Sequence, residues 1–290
     1  MAEPDQIVYL NGEFLPLAEA RIPVLDRGFI YGDGVYEVVP IYARQPFRMA
    51  QHLARLQHSL DGIRLANPHT AQQWEALIGA LAQRQPIADQ ALYLQVTRGV
   101  AARDLAMPSD VTPTVFLTSS PLRAPPAEQR HAGVACVTAR DFRWERADIK
   151  CVSLLGNVLA RQIAADHGAV ETLLFRDGFL TEGAGSNAWL VKDGALIGPP
   201  PSEHVLEGVR VRLLRELCEE EGIGFSLRPV AEGEVSAADE LLLSSSSKEV
   251  LAVTRLDGEA VGHGALHGKP GPVYARLYEA YQRAKALQSI

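Results

Sequence analysis

Arg146-Ala147-Asp148-Ile149-Lys150-Cys151-Val152-Ser153-Leu154-Leu155 is the stretch on which the chain turns. Its centre is a lysine in a chain that uses few: of 28 basic residues only Lys150, Lys192, Lys248, Lys269 and Lys285 are lysines. Arginine serves the surface. A first lysine this late, followed by Cys151, Val152, Leu154 and Leu155, is out of place as a solvated charge. Burial favours the uncharged amine, a nucleophile that arginine does not supply. A free amine condenses with an aldehyde to a Schiff base. The competing reading is a lysine at the start of a helix near Leu154, its stem on apolar surface and its head in water. The stretch by itself leaves both open.

On the N-terminal side, Pro121-Leu122-Arg123-Ala124-Pro125-Pro126-Ala127-Glu128 is proline-rich and polar and reads as a domain boundary. Before it, Ile7-Val8-Tyr9-Leu10, Asn11-Gly12 and Glu13-Phe14-Leu15 predict a strand, a type I′ turn and a returning strand. Asp26-Arg27-Gly28-Phe29-Ile30-Tyr31-Gly32-Asp33-Gly34 packs three glycines into seven residues, a tight loop with close backbone approach. The strand that follows, 35–42, puts Tyr36 on the face opposite Val35 and Glu37. Apolar spacing predicts a helix over 51–63, with Arg55 beside its apolar stripe, and a second helix is expected over 71–83. Strands are expected at 91–97 and 114–118. The loop between them carries Arg98 and Arg103, and guanidinium groups match a carboxylate bidentately.

Beyond Lys150 a helix is expected over 154–167, then a hairpin over 171–183 turning at Arg176-Asp177-Gly178. A strand over 187–191, a helix over 207–221 and strands at 225–230, 240–243 and 250–256 follow, with a terminal helix over 272–287. Several features suit one phosphate. The helix opened by Leu206-Glu207-Gly208-Val209-Arg210 offers free N–H groups. Ser244-Ser245-Ser246-Ser247 ends a strand with hydroxyls, and Arg55 adds charge. Glu182, before Gly183-Ala184-Gly185-Ser186-Asn187, is placed to pair with a ring nitrogen. Each feature has a plainer reading: a helix start, a solvated turn, a surface arginine, a rim glutamate. Amine, phosphate grip and carboxylate together describe a held pyridoxal phosphate.

On these segments, with His52-Leu53-Ala54-Arg55-Leu56, Gln95-Val96-Thr97-Arg98-Gly99 and Thr181-Glu182-Gly183, the chain resembles the fold-type-IV pyridoxal-phosphate transaminases, most of all their D-amino-acid branch. The resemblance runs nearly end to end. It implies an α+β fold: a small N-terminal α/β domain over 1–120, a linker over 121–130, and a larger, β-barrel-like C-terminal domain with helices over 131–290 that binds pyridoxal 5′-phosphate. It implies transfer of the amino group of a D-amino acid, D-alanine, to a 2-oxo acid, 2-oxoglutarate, in a homodimer. Lys150 then forms the Schiff base and moves the substrate proton, and Glu182 pairs with the pyridine nitrogen. Arg55, the backbone of Val209 and Arg210, and the hydroxyls of Ser245 and Ser246 bind phosphate. Leu206 packs on the ring. Tyr36 and Arg103 clamp the substrate carboxylate, Arg103 across the dimer interface. One position departs: the D-amino-acid pattern has a histidine two residues after the clamping arginine, and here it is Leu105. Neighbouring activities are a branched-chain L-amino-acid or (R)-amine transaminase, the 4-amino-4-deoxychorismate lyase, and a cofactor-binding protein without catalysis.

Composition excludes other classes. A net charge of −7 argues against nucleic acid or an anionic membrane as partner, and 47% apolar content supplies a core. Cys136, Cys151 and Cys218 form neither a disulfide framework nor a zinc pattern, so no metal is expected and a reducing cytoplasm is. The opening Met-Ala-Glu-Pro-Asp-Gln predicts no signal peptide, and no run is long enough to span a bilayer.

Overall fold

The structure, a computed structural model, describes residues 6–288; the opening residues read above for a signal peptide lie in part outside them. The chain divides into two compact units, one running to Arg123 and including Ile149–Leu154, the other Ala124–Asp148 with Leu155–Leu287. The Lys150 stretch is thus shared between them: its lysine belongs to the first unit and its flanks to the second.

In the first unit β1 (Ile7–Leu10) and β2 (Glu13–Pro16) meet at Asn11-Gly12. Both turn residues have positive φ, 49° and 107°, the I′ conformation expected of Asn-Gly. The glycine loop contains a one-turn helix, α1 (Arg27–Tyr31), where the sequence predicts only loop. Asp26 caps it, accepting from the Gly28 N–H at 2.8 Å, and Gly32 ends it in the left-handed region at φ 67°. Then come β3 (Gly34–Tyr42), β4 (Gln45–Pro46), α2 (Met49–Gly62), α3 (Ala71–Arg84), β5 (Gln90–Thr97) and β6 (Thr114–Pro121). A Thr70–Gln73 capping box fixes the start of α3. The six-stranded sheet runs β2-β1-β6-β5-β3-β4. Val35, Val39, Leu92, Leu94 and Val96 on one face pack with Leu53, Leu56 and Leu60 of α2 and Trp74, Ile78 and Leu81 of α3.

The second unit has as its first helix α4 (Ala127–Ala132), which begins inside the stretch expected to link domains, 121–130, and runs past its end. It continues through β7 (Val134–Arg140), α5 (Leu155–Asp166), β8 (Glu171–Arg176), β9 (Phe179–Gly183), β10 (Asn187–Lys192), β11 (Ala195–Gly198), α6 (Val209–Glu220), β12 (Gly224–Leu227), α7 (Glu232–Ser236), β13 (Glu240–Ser245), β14 (Glu249–Leu256), β15 (Glu259–Ala260) and α8 (Pro272–Gln288). Its nine-stranded, curled sheet runs β12-β11-β10-β13-β14-β7-β8-β9, with β15 on β14. Mixed parallel and antiparallel pairing with helices gives the expected α+β class. Leu173, Leu190, Leu241, Leu243 and Val253 anchor its core. Among the described residues no helix is long and apolar enough to cross a membrane.

Candidate active site

Lys150 is held by its backbone rather than by a helix. Its carbonyl accepts from the Tyr36 N–H at 2.9 Å, and its own N–H donates to Ser59 Oγ at 3.1 Å. Val152 N–H donates to the Gly34 carbonyl at 3.0 Å, and Val35 bridges to Cys151. Ile149 and Cys151 are buried in the first unit's core, so the segment alternates in and out against the edge of β3. Lys150 itself is half-buried, and its Nζ lies 4.1 Å from the centre of the Tyr36 ring. α5 begins at Leu155, close to the expected Leu154, and Lys150 precedes it in a segment bonded through its backbone to Tyr36 and Ser59.

The two faces of β3 have different work. Val35, Glu37 and Val39 point into the core, whereas Tyr36 and Val38 are half-buried. Tyr36 stacks on Tyr93 with ring centres 5.5 Å apart, and Tyr93 Oη donates to Gln95 Oε1 at 2.7 Å. Burial, with the neighbouring Tyr36, pushes the Tyr93 hydroxyl up to about 12, so it stays a donor at neutral pH. Glu37 is buried and accepts from Arg55 Nε at 2.6 Å and Nη2 at 2.9 Å, with His52 Nδ1 at 2.8 Å. Burial alone would raise the Glu37 carboxyl; the Arg55 guanidinium and His52 overrule it and hold it far below the usual carboxylate range. Arg55, expected as a phosphate ligand, is therefore oriented by Glu37.

The two loop arginines differ. Arg98 is buried and grips Asp33 through Nε (2.8 Å) and Nη2 (3.0 Å), and its Nη2 also donates to the Ile63 carbonyl at 2.6 Å. Its guanidinium is committed to the glycine loop through Asp33. Arg103 is exposed, with its guanidinium 5.8 Å from the Tyr31 ring centre. Leu105 is 83% exposed.

In the second unit Glu182 is buried at the end of β9. Its Oε1 accepts from Arg143 Nη1 at 2.5 Å and its Oε2 from the Leu206 N–H at 3.2 Å. Arg143 is fixed in turn by Asp141, through Nε at 3.0 Å and Nη2 at 2.8 Å, and Asp141 also accepts from Thr181 Oγ1 at 2.9 Å. Burial would raise Asp141, but the Arg143 hydrogen bond and charge hold it below the usual range. The Leu206 carbonyl accepts from Asn187 Nδ2 at 3.0 Å. Asn187 crowds Gly208 so closely that a Cβ there would lie 1.9 Å from its Oδ1. Asn187 pairs across the sheet with Ser244. One end of the sheet therefore gathers Glu182, Leu206, the start of α6 and the serine run. Gly208 caps α6 without a side-chain hydrogen bond, so the first N–H groups, those of Val209 and Arg210, have no side-chain cap. The Arg210 side chain turns inward, buried 5.6 Å from the Tyr281 ring centre, leaving only its backbone for a ligand. Ser245 and Ser246 are half-buried where β13 ends.

Comparison with known proteins identifies the family. The Amino-transferase class IV family profile matches residues 34–256. The chain is 36% identical over 277 residues to a D-alanine aminotransferase of Bacillus licheniformis, covering 96% of each. It is 34% identical over 276 residues to that of Staphylococcus haemolyticus, covering 95% of this chain and 96% of that one. This chain belongs to the class IV aminotransferases. Among solved structures, the branched-chain amino acid aminotransferase of Escherichia coli superposes with a TM-score of 0.88 at 24% identity, covering 96% of this chain and 94% of that one. The branched-chain aminotransferase of the archaeon Thermoproteus uzoniensis, solved with norvaline, also gives 0.88, at 22% identity, covering 97% and 95%.

For this class IV aminotransferase, sequence reasoning passed over Arg143, Asp141, Tyr93 and the Glu37–His52 pair. Some signals were present. Asp141 and Arg143 are two apart at the exit of a strand, which puts them on one side. Tyr93 and Gln95 share a strand face, and Gln95 is the cross-strand partner of Tyr36.

Proposed function

We propose that this aminotransferase moves the amino group of a D-amino acid, D-alanine foremost, to a 2-oxo acid such as 2-oxoglutarate, with pyridoxal 5′-phosphate as cofactor. The observation that carries the reading is Lys150 Nζ over the Tyr36 ring in a chain this similar to the D-alanine aminotransferases. The residues present fit the cofactor. An uncapped helix start suits a phosphate, and Glu182 is a buried carboxylate with a fixed direction.

The chemistry supplied by pyridoxal phosphate is storage of the amino group and withdrawal of electrons from the substrate Cα. The chain's residues supply the rest. Lys150 Nζ takes the Cα proton and returns it on the other side of the exchange. Glu182 would hold a proton on the ring nitrogen, and Arg143 fixes the direction of that carboxylate. Backbone N–H groups of Val209 and Arg210, hydroxyls of Ser245 and Ser246 and the Arg55 guanidinium would receive the phosphate, and Leu206 would pack on the ring. Tyr36 and Arg103 bind the substrate carboxylate.

A homodimer, with Arg103 reaching across it, is supported by an exposed apolar ridge. The segments carrying Val24, Leu25 and Phe29 and those carrying Val100, Leu105 and Met107 are tied together by Asp26–Val100 pairing and the Arg27 Nη1 bond to the Asp104 carbonyl at 2.5 Å. Such a ridge needs a partner. Three free, buried cysteines support a reducing, cytoplasmic location.

The test is a half-reaction without acceptor. Purified holoenzyme is mixed with D-alanine, L-alanine, L-leucine or (R)-1-phenylethylamine while the visible absorbance of the cofactor is followed. Bleaching with D-alanine alone is expected. Bleaching with L-leucine or the amine instead moves the activity to another class IV transaminase, and no bleaching with any donor points to the lyase. K150A should lose both visible absorbance and turnover.

A further inference from the structure

The serine turn that follows β13 is pinned from two sides by charge pairs no sequence pattern announces. On one side Lys248 Nζ donates to Glu171 Oε2 at 2.7 Å. Glu171 is fully buried at the start of β8, and the same oxygen accepts from Ser186 Oγ at 2.7 Å. Ser186 lies in the small-residue loop before Asn187, and its carbonyl accepts from the Gly183 N–H at 2.7 Å. On the other side the next residue, Glu249, is buried with φ 56°. It accepts from Lys285 Nζ at 2.6 Å and Gln282 Nε2 at 2.9 Å, both on α8. A non-glycine residue in the left-handed region costs free energy and persists only where its surroundings over-determine it.

Between these anchors the turn is shaped by its own hydroxyls. The Lys248 N–H donates to Ser245 Oγ at 3.0 Å, and Ser244 Oγ accepts from Trp189 Nε1 at 2.9 Å. Lys248 is thus bonded at both ends, through its backbone to Ser245 and through its ammonium to Glu171 beneath the 183–187 loop. Its side chain is 20% exposed. Only a long, flexible cation spans that distance, and a buried carboxylate left without it is strongly unfavourable.

We propose that Lys248 is the positioning residue of the anion-binding turn: paired with Glu171, it locks Ser245 and Ser246 in register with the 183–187 loop so that their hydroxyls meet a phosphate. The inference rests on the reading above that these hydroxyls receive the cofactor phosphate. Lys248 acts through the serines and need not touch the cofactor.

The test uses full-length apoprotein: wild type, K248M, K248R, E171Q and S246A. Two quantities are read: the dissociation constants of pyridoxal 5′-phosphate and of pyridoxal, which lacks the phosphate, and amide hydrogen exchange across 244–249. K248M and E171Q should each weaken pyridoxal phosphate by about 30-fold or more and pyridoxal by less than about 3-fold, since one partner of a desolvated pair is lost. Exchange in the turn should rise in both, and K248R should keep most of the wild-type preference. A lysine acting only through its charge makes the opposite demand on E171Q, which would then tighten phosphate binding. That result, or an unchanged preference with unchanged exchange, overturns the proposal. E171Q is isosteric and keeps the test decisive should K248M not fold. A wild-type protein with no preference for the phosphorylated ligand, indifferent to S246A, would remove the phosphate reading and the proposal with it, a separate failure from the first.

Discussion

Arg143 reaches Glu182 with one amino group at 2.5 Å and gives the rest of its fork to Asp141. The carboxylate assigned to the ring nitrogen therefore has a preset direction and a permanent counter-charge. R143L should destabilise the second unit by about 3–5 kcal/mol, because it strands a buried carboxylate. It should also slow the half-reaction at saturating substrate. R143K keeps the charge but not the planar fork, and should fall between. Thermal melts and single-turnover rates of the two variants decide it. A wild-type rate in R143L would show that Glu182 needs no partner.

Gly208 should tolerate no side chain. An added Cβ would lie 1.9 Å from Asn187 Oδ1, and Asn187 is committed to the Leu206 carbonyl and to its strand pairing with Ser244. G208A should cost about 1–3 kcal/mol, as overpacking does, and weaken cofactor binding with it. G79A is the control. Nothing lies within 4 Å of a Cβ at Gly79 in α3, so that change should stabilise by about 0.5–1 kcal/mol. Chemical denaturation of both proteins compares them directly; equal effects would mean the crowding at Gly208 relaxes freely.

Acid should unfold the protein through particular carboxylates. Asp33, Glu37 and Asp141 all stand below their ordinary values, where arginine partners outweigh the opposing effect of burial. A depressed folded-state pKa contributes stability that is complete above the unfolded value, about 3.9 for Asp and 4.3 for Glu. That stability is lost as pH falls from there through the folded values. Melting temperature should hold steady down to about pH 5 and drop steeply below about pH 4. E37Q, already deprived of part of this linkage, should show a lower plateau and a shallower fall. A wild-type profile flat to pH 3 would contradict the assignment.

What the sequence disclosed and what it hid follow the range of the interactions. Asn11-Gly12 announced its hairpin because the conformation is set by two adjacent residues. The apolar stripe of α2 was legible for the same local reason. Lys150 stood out by rarity, but its setting, a segment laid along β3 ahead of α5, depends on hydrogen bonds to Tyr36 and Ser59, more than 90 residues away along the chain. Arg55 was visible as a cation, whereas its pairing with Glu37 needs α2 laid against β3. Lys248 and Glu171 are separated by 77 positions, and no periodicity joins them. Arg98 and Arg103 looked alike in one loop; only the partner Asp33 separates a structural guanidinium from an available one.

That separation yields the last prediction. Arg103 is exposed, on a loop whose position is secured by others: Arg27 holds the Asp104 carbonyl at 2.5 Å, and Asp104 Oδ1 accepts from the Ala106 N–H at 3.0 Å. R103A should therefore fold normally and lose function selectively. A hydrogen bond to a charged group contributes about 1.5–3 kcal/mol, so KM for D-alanine should rise roughly tenfold or more. KM for (R)-1-phenylethylamine, which has no carboxylate, should stay near wild type. R103K should recover only part of the loss, since an ammonium does not reproduce bidentate contact. R98A is the contrast: it frees Asp33 and the glycine loop and should lower the melting temperature and damage both substrates alike. Equal losses with D-alanine and the amine in R103A would show that this arginine does not read the carboxylate, and the substrate clamp would have to be sought around Tyr36 and Tyr93.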